Sequence, residues 1–583
     1  MTLILIAAAV LLPVIPQPRE FVPAGDGVYV DVSKLAERGR VNGKVDPSAA
    51  LGDEAYEMTV AADGVSSVAK TAKGLRWAKA TVDQLVASGR PVPCGTIRDE
   101  PAWPYRGFML DVARKTFSLG FLRDLVRDLA HYKMNVLHVH LTDCMVDDFA
   151  GDGRRQGGFR LECETAPDVT SKDFFYTKDE FRAFVKESAA LGVEIIPEID
   201  TPGHAHSMIA ARPDLARGGK TDGADLDITN PKTLEFVKAI LTEYCEGPDP
   251  VFAGPRLHVG TDEFGGKDAF RPYVDALFRH VLSLGKKPCA WGSLDHAEGT
   301  APVIASKDIA MDIWYQPFYS AEHAVQDGYS VVTVRDGPTY IVPANATGYY
   351  NDYLNVPALY ARYRPYDGSL GGKFCLWNDR AGNGVTEDDC FDRIFPGLQV
   401  MAQKLWSGEV ADESFGQFQE IAAATHEAPG VNRAHWMTGE GGRPGPGDVC
   451  VGWAQGGGWT VTFELKRLPF GAGRSILFDD GRSQVFTEPS GELGFSCEGY
   501  EHAFDVSLSP RHWSKVKLVG TPKGVTLWVN DIEVGTSAGS SRVKVRDDGK
   551  TIRYGRLRTL HFPLKQVAGS DTVRGFAVEA GVR

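Results

Sequence analysis

Residues 105–141, YRGFMLDVARKTFSLGFLRDLVRDLAHYKMNVLHVHL, decide the fold. "YRGFMLDVA" is a dense apolar run and reads as a strand. "LGFLRDLVRDLAHYK" spaces its apolar residues three and four apart and reads as a helix. "NVLHVHL" is again a short strand. Strand, amphipathic helix and strand make the unit of a parallel sheet. The pattern then repeats: "KDEFRAFVKESAALG" before "VEIIPEID", and "PKTLEFVKAILTEYC" before "RLHVG". "KPCAWG", "IAMDIW", "YSVVTV" and "KFCLW" follow as strands, and "RIFPGLQVMAQKLW" is the closing helix. About eight such alternations point to an α/β fold, a (β/α)8 TIM barrel. An open doubly wound sheet is the alternative. It would carry a Gly-rich phosphate loop after its first strand, and none is present.

Outward from this core the texture changes twice. Residues 13–100 read as a small α/β domain: "EAYEMTV" and "VSSVAKT" are strands, and "GLRWAKATVDQLVASG" is a helix ending in Gly. The barrel is expected over 101–410, a helix and linker over 411–444 with the Gly/Pro run "GEGGRPGPGD", and an all-β sandwich of jelly-roll type over 445–583. "WTVTFELK", "SILFDD", "HWSKVKLVG" and "VTLWVNDIEVG" carry the period-two pattern there. Residues 1–12 hold an apolar run, Leu3 to Leu12, with the length of a signal core. It is too short to span a bilayer, so a secreted or periplasmic location is the expectation, without membrane insertion. No Lys or Arg precedes the run and no clean small-x-small site follows it. The net charge of −13 argues against nucleic acid and anionic surfaces. The nine cysteines form no C-x-x-C pair, which excludes a zinc ribbon.

In a barrel of this kind, chemistry gathers past the C-terminal ends of the strands. Strand one begins with Arg106 and contains Asp111. Strand two ends in Asp143. Strand three ends in Glu198 and Asp200, and Pro-Gly-His204 follows. Strand four ends in the adjacent acids Asp262 and Glu263. Strands five, six and eight end in Trp291, Trp314 and Trp377, with Asp379 just beyond the last. "GYYNDY", with Tyr350 and Asp352, precedes strand eight. Carboxylates, an arginine and indoles around one rim describe a sugar pocket, because indoles stack on a pyranose face and carboxylates accept from hydroxyls. Each alone has a plainer reading. Single tryptophans after strands are usually packing, Asp111 reads as a structural partner for Arg114, and His138 and His140 alternate along one strand more as packing than as ligands.

"RGFMLDVAR", "MNVLHVHLTD", "VEIIPEIDTPGHA", "LHVGTDEF" and "CLWND" stand in the order found in the family 20 glycoside hydrolases, the β-N-acetylhexosaminidases, which the chain resembles from Pro13 to Gly408. The C-terminal domain resembles a laminin-G or concanavalin-like jelly roll only loosely. The resemblance implies an exo-acting, retaining enzyme that removes terminal β-linked GlcNAc or GalNAc. The substrate's own acetamide oxygen would attack C1 and form an oxazolinium ion. Glu263 would be the general acid and base, Asp262 would hold the acetamide N–H, and Tyr350 the acetamide oxygen. Arg106 would bind the C3 and C4 hydroxyls, and Asp352 and Asp379 the C4 and C6 hydroxyls. Asp143 and His204 would form a pair tuning Glu263, and Trp291, Trp314 and Trp377 would wall the pocket. No metal or cofactor is implied. The partner is a glycan bearing a terminal N-acetylhexosamine, with further glycan contact through the β domain. Two departures stand out: "CMVDDFAGDGRR" replaces the family's usual loop after H-L-T-D, and Thr261 precedes the acid pair where Gly is common. A disaccharide-releasing enzyme, an inert glycan-binding barrel, and a two-carboxylate glycosidase with Asp262 or Asp200 as nucleophile are the other readings.

Overall fold

The computed structural model describes residues 10–25, 27–144, 158–296, 299–343, 350–379, 385–410 and 413–433, and most of a β domain between 436 and 580. Most of the apolar N-terminal run, the 145–155 loop and the Gly/Pro linker lie outside the described residues. Among the described residues no helix is long and apolar enough to cross a membrane.

Eight parallel strands form the central sheet: β1 Tyr105–Asp111, β2 Val136–His140, β3 Glu194–Thr201, β4 Arg256–Gly260, β5 Lys287–Trp291, β6 Ala310–Ile313, β7 Ser330–Thr333 and β8 Ser369–Leu376. β8 pairs with β1 in register Gly107 to Lys373, and β7 pairs with β8, so the sheet closes on itself. The barrel expected from the alternation is present, and no open edge remains in it. A two-residue strand, Tyr340–Ile341, adds itself to the outer end of β8.

The helices begin where local chemistry sets them. Ser118 caps α1 (Leu119–His131) by accepting from Phe121 N–H, and Thr177 and Glu180 form a capping box at α2 (Lys178–Ala190). Asn230 caps α3 (Pro231–Cys245), with Pro231 in the first turn. α1 buries Phe121, Leu122, Leu125, Val126 and Leu129 against the barrel. Truncating one of them, as in Leu125→Ala, costs about 2–5 kcal/mol.

The N-terminal domain is a five-stranded sheet covered by the helix Ala72–Ser88. It docks beneath β1 through charge. Arg106 Nη2 lies 2.6 Å from Glu54, Lys133 Nζ lies 2.7 Å from Asp99, and the Arg106 guanidinium sits against Trp77 and Trp406. The C-terminal domain has antiparallel sheets of five and seven strands sharing one core, with Val461, Phe463 and Leu518 from the first meeting Leu477, Phe478 and Val485 from the second. That is the expected sandwich.

Candidate active site

The turn after β4 brings the adjacent acids together. Neighbouring side chains on an extended chain point apart. Here Gly260, Thr261 and Glu263 all have positive φ, at 75°, 79° and 51°, which curls the chain at the barrel mouth. Such conformations cost of order 1–3 kcal/mol for non-glycine residues and persist only when their surroundings impose them. Thr261 N–H donates to Asp200 Oδ1 at 3.2 Å and to the Thr201 carbonyl at 3.1 Å, which pins the turn to β3. Gly260 is required outright: a Cβ there would stand 1.5 Å from Asp200 Oδ1.

The pocket that results is lined by Arg114, His204, Asp262, Glu263, Trp314, Tyr340, Val342, Tyr350, Trp377 and Asp379. It is an open cleft at the barrel mouth rather than an enclosed cavity. Seven of the residues singled out from the sequence line it: Glu263, Asp262, Tyr350, His204, Trp314, Trp377 and Asp379. Glu263 is exposed and Asp262 largely covered, and Asp262 Oδ1 meets no hydrogen-bond partner among the described residues. The indole N–H groups of Trp314 and Trp377 likewise meet no acceptor there. Asp143 lies directly behind His204. It accepts from His204 Nδ1 at 2.9 Å, while His204 Nε2 stands 3.5 Å from Glu263 and 3.9 Å from Asp262.

Three expected pocket residues lie elsewhere. Arg106 is at the opposite end of β1, fully buried, with its donors on Glu54 and the carbonyls of Lys133 and Trp103. Strand direction is the reason, because the first residue of a barrel strand faces away from the active end. The arginine in the pocket is Arg114, three residues past the end of β1. It pairs with Asp111 at 3.1 Å and Asp143 at 2.8 Å, and lies 3.7 Å from Asp379. Asp111 therefore is its structural partner, and Asn378 on the β8 side also binds Asp111. Asp352 accepts from Arg393 Nε at 2.8 Å on α4 (Glu387–Trp406), outside the pocket lining. Trp291 is buried one layer below, 5.6 Å from the Trp377 ring, with its indole N–H on Glu198 at 2.7 Å. Tyr340 and Val342 line the pocket and were not singled out. Arg114 was passed over because it reads as the partner of Asp111, although it stands just past a strand's C-terminal end.

The charges are ordered by burial and neighbours. Burial would push the His204 imidazole down, but Asp143, Asp262 and Asp200 hold it well above its ordinary value. Burial, then Glu263, raises Asp262. The hydrogen bond to His204 lowers Glu263. Of the two adjacent acids it is therefore Asp262, and not Glu263, that is raised. Asp200 is buried and raised well above the carboxylate range, by burial first and Asp262 second. Among groups able to hold a metal, His138, His258 and Asp312 bring donor atoms within 4.8 Å of one another. The Lys373 ammonium already bonds His138 and Asp312 and stands in the cation's place.

A closed parallel barrel with paired acids, an arginine and indoles at its C-terminal mouth is the architecture of a glycoside hydrolase. Residues 103–272 match the glycosyl hydrolase family 20 catalytic domain, and residues 19–100 match that family's domain 2. These two stretches, residues 19–272 between them, carry the domain pair of glycosyl hydrolase family 20. It is 25% identical to a lacto-N-biosidase of Bifidobacterium bifidum over 65% of this chain and 36% of that protein. It is 31% identical to a β-N-acetylhexosaminidase of Cellulomonas fimi over 41% of this chain and 50% of that protein. The chain thus spans half or less of each of these relatives. In fold it resembles the family 20 β-N-acetylhexosaminidase of Streptomyces coelicolor, at a TM-score of 0.57 and 22% identity over 72% of this chain and 96% of that one.

Proposed function

We propose that the chain is an exo-acting, retaining β-N-acetylhexosaminidase that removes terminal β-linked GlcNAc or GalNAc through an oxazolinium intermediate. The observation that carries this reading is the left-handed turn presenting Asp262 and Glu263 together to a pocket walled by Trp314 and Trp377. Glu263, exposed at the mouth, protonates the leaving oxygen and then activates water. Asp262, with an unengaged buried oxygen, accepts from the acetamide N–H and stabilises the charge that develops on it. The nucleophile arrives already attached to the substrate, which removes much of the entropic barrier. Arg114, between Asp143 and Asp379, donates to ring hydroxyls in the role first assigned to Arg106. Binding a sugar removes water from Glu263 and raises it toward the value a general acid needs.

A conventional two-carboxylate mechanism fits less well, because Asp200 is wholly buried and already engaged by Thr261 N–H. A second reading, disaccharide release, is favoured by the relative named lacto-N-biosidase. Export through the N-terminal apolar run and glycan contact by the β domain belong to the same proposal. The test is hydrolysis of aryl β-GlcNAc, β-GalNAc, β-Glc and β-lacto-N-bioside side by side. Turnover of a plain β-glucoside as fast as the N-acetylated sugars would overturn acetamide participation. Turnover of the bioside alone would select the second reading.

A further inference from the structure

The barrel interior below the pocket is charged, and the reaction as described does not use it. Lys373 points from β8 into the barrel and is fully buried. Its ammonium donates to Asp312 on β6 and to His138 Nδ1 on β2 at 2.6 Å, and lies 4.4 Å over the Trp291 ring. His138 Nδ1 is therefore an acceptor, and its proton sits on Nε2, which stands 2.9 Å from Glu198 Oε2 without the alignment of a hydrogen bond. Glu198 on β3 is ringed by His138, His140, His258 and the Trp291 N–H. His140 Nδ1 faces Glu198 and its Nε2 faces Asp143, so both nitrogens meet carboxylates and both carry protons. Asp143 then accepts from His140, Arg114 and His204. His204 Nε2 remains to face Glu263. His258 on β4 closes a side loop, with Nδ1 2.9 Å from Glu198 and Nε2 3.1 Å from Asp312.

We propose that Lys373 is a positioning residue for Glu263. Its ammonium, braced by Asp312, heads the buried row of polar groups His138, Glu198, His140, Asp143 and His204, and so sets their orientation and the field they pass up to the acid. This rests on the reading of Glu263 as the acid. The chain crosses from β8 to β2 to β3 and back, so local packing alone does not account for it. Asp200 and Asp262 are the other charged groups facing Glu198 and His140, and Cys289 and Cys375 are the thiols near Lys373. Burial holds His138 neutral, at about 3, with the Lys373 charge beside it. Burial pushes the Cys289 thiol up to about 12, so neither His138 nor Cys289 supplies a competing charge.

The test uses two near-isosteric variants of the full chain with opposite charge. Lys373→Met removes a cation and raises the pKa of every acid and base along the chain. Asp312→Asn removes an anion and lowers them. The profile of kcat/KM against pH on aryl β-GlcNAc is expected to move to higher pH in the first and lower pH in the second. Each displacement should reach at least about half a unit, the effect of one charge across a protein interior. KM should stay within about twofold, since neither residue touches the sugar. Selectively 15N-labelled imidazoles give an independent readout, in which the His138 signals change in Lys373→Met because Nδ1 loses the donor that fixes the proton on Nε2. Superimposable profiles, or displacement in the same direction, would sink the proposal. If Lys373→Met does not fold, the Asp312→Asn profile decides alone, and no acid displacement overturns the idea. If wild-type protein cleaves none of the N-acetylated sugars, the functional reading fails separately. The Lys373→Met imidazole signals then decide, and an unchanged His138 rejects the chain.

Discussion

Arg106 and Arg114 sit eight positions apart on and just past one strand, and the structure gives them opposite duties. Replacing Arg114 by Lys keeps the charge but not the fork. The ammonium can satisfy Asp111 or Asp143, which now lie 3.1 Å and 2.8 Å from separate guanidinium nitrogens, and cannot also reach a sugar hydroxyl. Loss of one hydrogen bond to a charged donor is worth about 1.5–3 kcal/mol, or roughly ten- to a hundredfold in kcat/KM. Replacing Arg106 by Met breaks the pair with Glu54 and removes a cation packed against Trp77 and Trp406, far from the pocket. Opening a buried ion pair costs about 3–5 kcal/mol. Glu54 is only half-buried, so the lower figure applies. The assay is kcat/KM on aryl β-GlcNAc beside thermal melting. Arg114→Lys should lose activity and also melt lower, because Asp111 or Asp143 is left without its cation. Arg106→Met should melt several degrees lower and keep kcat/KM within about threefold. If Arg106→Met lost activity as heavily as Arg114→Lys while melting like wild type, the placement of the two arginines at opposite ends of β1 would be wrong.

Glu263→Gln should lose about 10²–10⁴-fold on an oligosaccharide and far less on an activated aryl glycoside, because only the poor leaving group needs protonation; equal losses on both would count against the acid role. Gly260→Ala should melt markedly lower or fail to fold, since the new Cβ would meet Asp200 at 1.5 Å in a left-handed turn, and wild-type melting would refute that reasoning. Asp262 must be ionised to stabilise developing positive charge, and it is raised. Activity should therefore fall on the acid side above the usual carboxylate range of about 4, and kcat/KM against pH, with Asp262→Asn as reference, checks this. His204 and His140 are held above their unfolded value. The stability they contribute is complete below a pH of about 6.5 and lost as pH rises through their folded values, so melting should fall on the alkaline side and do so less in His140→Gln.

The strand and helix alternation was legible because period and length are local properties. Helix starts at Ser118 and Thr177 are written in capping residues, and the acid pair stands out where β4 ends. The pocket was legible only in part. Trp314, Trp377, Asp379 and His204 reach it because each follows a strand end, and Tyr350 reaches it from the loop before β8. Trp291 follows one too, but turns down to Glu198. Asp352 follows none and is taken by Arg393 from a helix distant in the chain.

By itself the sequence determined the barrel class and marked the acid pair at the end of β4, since each rests on pattern within a few residues. Only the tertiary structure decided which arginine lines the pocket, that Tyr340 and Val342 complete the wall, and that Lys373, Asp312 and three histidines form a polar core beneath it. Those facts depend on which strand lies beside which and which way each residue points once the sheet closes. Ring closure couples residues hundreds of positions apart, and no local period records it.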